Sequence, residues 1–402
     1  MTLIQGPRSR AGTGGTVFCQ GPPDLAVKAD SRIEADIRQI VATVYGKMSG
    51  VAAVILSGSL GRGEGMLVGR EGAPELLSDY DIFVVNDDPP SPGVFRNLEV
   101  ELTPRLWGPK VTLGSLATRQ LPTLPLTLWT YDLRYGSRVV AGDPELLTTV
   151  PSYRSQDIPA WEGLKLLFNY SAVLLGALGG ETETGQASAR EGRVVRESLL
   201  RMVCRIGDAL VIQDGCYHHL LACRPEALRG LTTFRSLEPA QQELILWGCR
   251  EKLAPHDFAT FDVDVAMRSL FSLLDRVLCD ALRRFLNTEN DGLPALTAAY
   301  RRRFRTPLSW WGRISAHVQR LVYGDPDGLP WQRVDVDRYH YVLAIAPLVL
   351  LSMPGFAPER AAYLVEACRL LGISSTPAVG DKQDVWKPCR DKALHLWNAV
   401  SL

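Results

Sequence analysis

Two aspartates, Asp79 and Asp81, stand two positions apart at the head of the apolar run Ile82-Phe83-Val84-Val85. In an extended strand residues i and i+2 point to one face, with Cα atoms about 6.5–7 Å apart. Carboxylates so placed can converge on one oxygen-loving cation or on two that share a carboxylate. Magnesium suits such hard ligands and ordinarily keeps phosphate oxygens in its shell. A paired site of this type stabilises both the attacking and the leaving oxygens of a phosphoryl transfer. About twenty positions upstream, Val54 to Gly65 reads VILSGSLGRGEG, an apolar run entering a stretch of four glycines and two serines. Glycine costs conformational entropy, and the usual reason to accept it is close backbone approach, often to a phosphate. Asp-x-Asp by itself would read as a solvated surface turn. If the two apolar runs are neighbouring strands, loop and carboxylates meet at one end of a sheet.

Two other phosphate motifs are excluded. Gly58-x4-Gly63 is followed by Glu64 and not by Lys-Ser/Thr, so this is not a P-loop. Glycines at 58, 61, 63 and 65 miss the Gly-x-Gly-x-x-Gly spacing of dinucleotide folds.

A Gly-Ser turn followed by Asp-x-Asp resembles the DNA polymerase β-like nucleotidyltransferase superfamily, in its small-molecule or minimal form with a C-terminal helical domain. GSLGRGEG is similar to its Gly-Ser signature and SDYDIFVV to its metal-binding strand. The resemblance covers roughly residues 35–145. It implies that Gly58 and Ser59 contact a nucleoside triphosphate and that Asp79 and Asp81 hold Mg²⁺, with Mn²⁺ as the alternative. Arg62 lies in the same turn, where a guanidinium can reach triphosphate oxygens or face solvent. Glu64 reads as a helix-start acid or surface charge, and residues 66–78 as an exposed loop insertion. The superfamily usually supplies a third acid from the next strand. That strand is LWGPKVTLGSLA, and the position falls on Thr112, whose hydroxyl cannot serve as a base at neutral pH. Glu101 and Asp132 are the substitutes.

Hydrophobic spacing supplies the elements that must position these residues. It predicts a helix from Ser31 to Lys47, a buried strand Val51–Leu56, a strand from Tyr80, a helix Phe95–Thr103, a strand Lys110–Ala117 and further sheet over Trp129–Val140. After about residue 155 helical periods dominate: 161–178, 196–213, 240–252, 267–286, 294–305, 339–351, 358–371 and 388–400. Residues 179–192 read as a flexible link. The expected class is α+β, with a flexible N-terminus over 1–28, a mixed-sheet α/β nucleotidyltransferase domain over 29–155 and a mainly α-helical domain over 156–402. On the helical half, Lys165, Arg201 and Arg205 lie on polar stripes. They read as solvated faces or, more sharply, as contacts to phosphate or acceptor. Adjacent His218 and His219 should point apart and give no zinc site. The run RRRFR (301–305) with Trp310 and Trp311 can bind nucleic acid through charge and stacking, but as one cluster in a neutral chain it reads first as a helix-end surface patch with packing tryptophans.

Composition narrows the classes. The 402 residues carry 44 basic and 44 acidic side chains, so the chain lacks the strong basic excess of a nucleic-acid surface. The eight cysteines show no Cys-x-x-Cys and no zinc spacing, which suits buried thiols in a reducing compartment. No apolar run reaches the roughly 18–20 residues that span a bilayer, and the N-terminus has no signal-peptide core. The expectation is a cytoplasmic, metal-dependent nucleotidyltransferase. It would move a nucleoside monophosphate from a nucleoside triphosphate to an unidentified acceptor, a small molecule favoured over nucleic acid, and release pyrophosphate. Its rivals are a catalytically impaired nucleotide-binding regulatory or scaffold protein, and a helical interaction module with a vestigial α/β domain.

Overall fold

The computed structural model describes residues 17–20, 23–69, 74–88, 91–178, 189–256, 262–289, 292–303, 343–355, 360–373 and 382–401. The chain divides into two compact units. One comprises Met1–Pro159, Asp214–Arg235 and Leu246–Phe258; the other comprises Ala160–Gln213, Ser236–Ile245 and Ala259–Leu402. The stretch expected to be helical from 156 onward thus contributes to both.

The first unit is built on a four-stranded mixed sheet in the order β5-β4-β1-β6. These are β1 (Val51–Leu56), β4 (Tyr80–Asn86), β5 (Val111–Leu116) and β6 (Arg138–Gly142). β4 runs antiparallel to β1 and parallel to β5, and β6 runs antiparallel to β1. Two short strands, β2 (Leu67–Val68) and β3 (Glu75–Leu76), form a separate ribbon. Period-2 alternation distributes side chains between two cores. Val54, Leu56, Tyr80, Ile82 and Val84 face one core, together with Ile33, Ile37, Ile40 and Val44 of α1 (Pro23–Lys47) and Phe95 and Leu98 of α3 (Pro92–Leu102). Ala53, Ile55 and Val85 face the other, with Leu116, Leu121, Leu133 and Leu146. A central strand covered on both faces must be apolar throughout, and VAAVIL is.

Several elements differ from their expected form. α1 starts at Pro23 rather than Ser31, and Val17, Phe18 and Cys19 ahead of it are buried. The amides of Phe18 and Cys19 donate to the Asp30 carboxylate at 2.9 and 3.1 Å. The Ser57–Gly65 stretch is not an open loop: Gly58–Arg62 forms a short helix, α2. The insertion at 66–78 is not wholly exposed, since Met66, Leu67, Leu76 and Leu77 are buried. Trp129–Val140 is not continuous sheet. Leu128–Gly136 is helix α4, capped by the Thr127 hydroxyl accepting from the Thr130 amide, and β6 begins only at Arg138. Tyr and Trp in a short apolar window fit either period, and the Thr cap decides for helix.

The second unit is helical. α5 (Trp161–Ala177), α6 (Ala189–Gln213), α10 (Val263–Leu286) and α11 (Leu293–Arg303) account for most of it, with α9 (Pro239–Leu253) shared between the units at Ile245/Leu246. α12 (Ala346–Leu351), α13 (Ala361–Leu371) and α14 (Lys382–Ser401) follow. α7 (Arg224–Gly230) and α8 (Thr232–Arg235), which periodicity missed, belong to the first unit. Residues 179–188 of the expected link, 304–305 of the RRRFR run, Trp310, Trp311 and the expected helix start at 339–342 lie outside the described residues. Among the described residues no helix is long and apolar enough to cross a membrane.

Candidate active site

The Gly-Ser stretch and the acid pair meet at one end of the sheet. β1 ends at Leu56, paired with Ile82, and the next amide, Ser57 N–H, donates to the Asp81 carbonyl at 2.8 Å. Chain direction then reverses into α2 through Gly58, whose φ is +65°. An ideal Cβ on Gly58 would fall 3.0 Å from Asp81 Cγ and closer still to Oδ2. The missing side chain is therefore what lets the Asp81 carboxylate lie against the backbone of the turn. The positive φ gives glycine a second reason at this position. Ser59 follows, and its hydroxyl donates to Ser78 Oγ at 3.0 Å, while Ser78 Oγ also accepts the Met66 amide at 2.9 Å. Ser78 immediately precedes Asp79. Gly58 and Ser59 are thus tied to the segment that carries both aspartates, each of them half-buried.

β4 is held from the opposite face. Tyr80 points away from the acids, and its buried phenol donates to Asp36 Oδ2 at 2.6 Å; the Trp107 amide donates to the same oxygen at 2.8 Å. Burial, reinforced by the Asp36 carboxylate, pushes the Tyr80 phenol far above its ordinary range, so it stays protonated and keeps donating. This anchor fixes the height of the strand at the point where Asp79 and Asp81 leave it.

Thr112 pairs in parallel register with Asp81, so the expected third-acid position is a threonine on the same face of the adjacent strand, and it is exposed. Two residues along that face, Phe83 lies over Gly114; a Cβ there would sit 2.6 Å from its ring. Trp129 meets Phe83 edge-on at 5.3 Å and is 38% exposed.

The two substitute acids are engaged elsewhere. Glu101, on α3, pairs with Lys47 and with Arg105 at 3.2 Å, and the Lys47 ammonium bound to it holds its carboxyl below the usual range. Asp132, on α4, has the Tyr217 hydroxyl 3.0 Å from both of its oxygens and Arg62 Nη1 3.6 Å from Oδ2. Among the described residues no three His, Cys, Asp or Glu gather as a metal site, so neither acid completes a triad with Asp79 and Asp81. The acid that does touch β5 is Glu99, whose Oε1 accepts the Leu113 amide at 2.7 Å on this edge strand.

Arg62 does not face solvent. Its side chain is 13% exposed and lies between Asp132 and Glu64, with Nε 3.3 Å from Glu64 Oε2. Glu64 is not a surface charge either: it is 3% exposed and also accepts the Ala222 amide at 3.1 Å. Residues 214–235 return to this region. Arg224, buried, donates to the Tyr217 hydroxyl at 2.8 Å and to the His218 and His219 carbonyls. The His218 and His219 rings do not point apart but stack, centroids 4.5 Å apart, and His218 Nδ1 accepts the Leu220 amide at 3.0 Å. Sequence spacing gave no sign of Tyr217 or Arg224, 85 or more positions from Asp132. Ser57, Ser78 and Ser137 were also missed. Ser57 and Ser78 flank the two motifs, and the Ser137 hydroxyl stands 2.9 Å from Ser57 Oγ.

In the second unit, Lys165 lies over the Trp161 ring at 5.2 Å, and Arg201 Nη2 is 3.7 Å from Glu197. Arg205 pairs with Asp208 at 2.6 Å and with the Tyr170 hydroxyl at 3.2 Å. Of the basic run, Arg303 donates to the Phe285 carbonyl at 3.0 Å.

Asp79 and Asp81 form a donor set of two carboxylates on one strand face, half-buried, with the Ser59 hydroxyl tied to the residue before them. Such a set fits a Mg²⁺ ion whose remaining positions are filled by phosphate oxygens and water.

No family model matches the chain, and no curated protein matches it. Among solved structures the chain is similar to a spectinomycin adenyltransferase from Enterococcus faecialis, determined with ATP and spectinomycin. The two are 14% identical, with 61% of this chain and 98% of that one covered, at a TM-score of 0.37.

Proposed function

We propose that the chain is a metal-dependent nucleotidyltransferase. It would transfer a nucleoside monophosphate from a nucleoside triphosphate to a small-molecule acceptor and release pyrophosphate. One observation carries this reading: Gly58 has left-handed backbone and no side chain where the Asp81 carboxylate lies against it. A turn able to approach phosphate and a carboxylate able to hold its counter-cation then share one edge. In this proposal Asp79 and Asp81 hold Mg²⁺, or Mn²⁺, which when bound neutralises charge on the triphosphate. The Gly58–Ser59 backbone and the Ser59 hydroxyl orient the β and γ phosphates. Arg62 keeps α2 in place by bridging Glu64 and Asp132. Catalysis of this kind is mainly positioning and charge neutralisation. A panel of nucleoside triphosphates with Mg²⁺ or Mn²⁺, scored by thermal shift and by pyrophosphate release, tests it. No shift and no release with any triphosphate would sink the reading.

Thr112 favours a second reading. With a hydroxyl opposite Asp81 in the register, no carboxylate is placed there to take the acceptor's proton. A protein that binds the metal–nucleotide complex without turning it over would give the thermal shift without pyrophosphate.

A further inference from the structure

Apart from the sheet-end site, the helical unit brings two thiols together. Cys368 on α13 and Cys389 on α14 are 4% and 0% exposed, and their sulfurs are 3.2 Å apart. We propose that Cys368 and Cys389 form a dithiol site that closes to an intramolecular disulfide by exchange with a low-molecular-weight disulfide and reopens under a thiol reductant. The inference does not depend on the nucleotide chemistry proposed above.

Three features support it. A disulfide needs its sulfurs about 2.05 Å apart, so closure asks for an approach of about 1 Å between two helices. The pair also has a built-in order of deprotonation. A thiolate at Cys368 keeps the Cys389 S–H as its donor, which holds the Cys368 thiol below the ordinary range. The same hydrogen bond, with burial, pushes Cys389 up. Cys368 is also the more exposed of the two residues, 4% against 0%, and is the sulfur that attacks first. Finally, the helix is weak at the right place. Pro388, exposed and directly before Cys389, lies inside α14 and has no N–H for the carbonyl four residues back. The Trp386 indole, donating to the Val349 carbonyl at 2.8 Å, ties down the residues just before that point.

The exchange balances. The Cys368 thiolate attacks one sulfur of RSSR, giving a Cys368–S–SR mixed disulfide and RS⁻. Cys389 sulfur then attacks Cys368 sulfur, the Cys368–S–SR bond breaks, and a second RS⁻ leaves. The two thiol protons go to the two RS⁻, so the protein dithiol is oxidised by two electrons and RSSR is reduced to two RSH.

The test uses the native full chain with glutathione disulfide, followed by alkylation and non-reducing peptide mapping by mass spectrometry. The expected result is one linked species containing Cys368 and Cys389, lighter than its two free peptides by two hydrogens. Dithiothreitol should restore alkylation at both. The link should raise the unfolding midpoint by about 5 °C, because it constrains a loop whose ends are 21 positions apart. Exposed Cys216 should give only an unlinked glutathione adduct. In Cys389→Ser, exchange should stop at the mixed disulfide on Cys368. Separate, fully alkylated Cys368 and Cys389 peptides after exchange would overturn the proposal. So would a link that forms only after unfolding in guanidinium.

Discussion

The two ends of the Gly58–Arg62 turn face two aspartates that are held in opposite ways. At the first end the Asp81 carboxylate lies against glycine backbone, in a space that any side chain on Gly58 would occupy. At the other, Asp132 is enclosed by the Arg62 guanidinium and the Tyr217 hydroxyl, with Arg224 behind the hydroxyl. A carboxylate surrounded by protein donors is already satisfied and contributes to stability. In the proposed reading, the carboxylate set against a side-chain-poor turn beside a second acid is the one that takes the cation. Residue type is the same at both; what differs is the neighbour across the turn, side-chain-free Gly58 backbone at Asp81 and the Arg62 and Tyr217 side chains at Asp132.

Five substitutions would break or sharpen that contrast. The largest effect should come from Asp81→Asn or Asp79→Asn. Either should lower metal-dependent pyrophosphate release by about 10³-fold, with an unchanged circular dichroism spectrum; full activity in both variants would remove the proposed mechanism. Gly58→Ala should follow, at about 10²-fold, because its methyl group must displace the Asp81 carboxylate. Wild-type turnover in this variant would show that the close approach has no catalytic use. Thr112→Asp sharpens the choice between transferase and binder by placing a carboxylate in register with Asp81. A gain of about tenfold in turnover is expected, and a loss would mean that another group already takes the proton. Tyr217→Phe should have the smallest effect on chemistry. It removes the hydroxyl from Asp132 and Arg224, costing about 1–2 kcal/mol of stability in a denaturant melt. Triphosphate binding should not change. A matching collapse of binding would place Asp132 with Asp81 rather than opposite it.

Much of this was legible in the residues. β1, β4 and β5 fall within a residue or so of their expected bounds: β1 and β4 because a strand covered on both faces is apolar along most of its length, β5 because buried Val111 and Leu113 alternate with exposed Thr112. The meeting of VILSGSLG with SDYD was legible too, since both motifs sit at the ends of such strands. The α4 helix was misread as sheet because its capping threonines outweigh an ambiguous apolar pattern. The burial of Glu64 and Arg62 was hidden because their partners, Ala222 and Asp132, come from distant segments.

By itself, the sequence determined where β1, β4 and β5 lie and which two acids share a face, because period and side-chain chemistry are local properties. It also pointed to Thr112 as the position where an acid was expected, and the strand register then set that residue beside Asp81. Only the tertiary structure decided that Asp132 is paired by Arg62 and Tyr217, that Gly58 is emptied for Asp81, and that Cys368 meets Cys389. Those outcomes depend on the distance between segments far apart in the chain, and no local pattern encodes a distance.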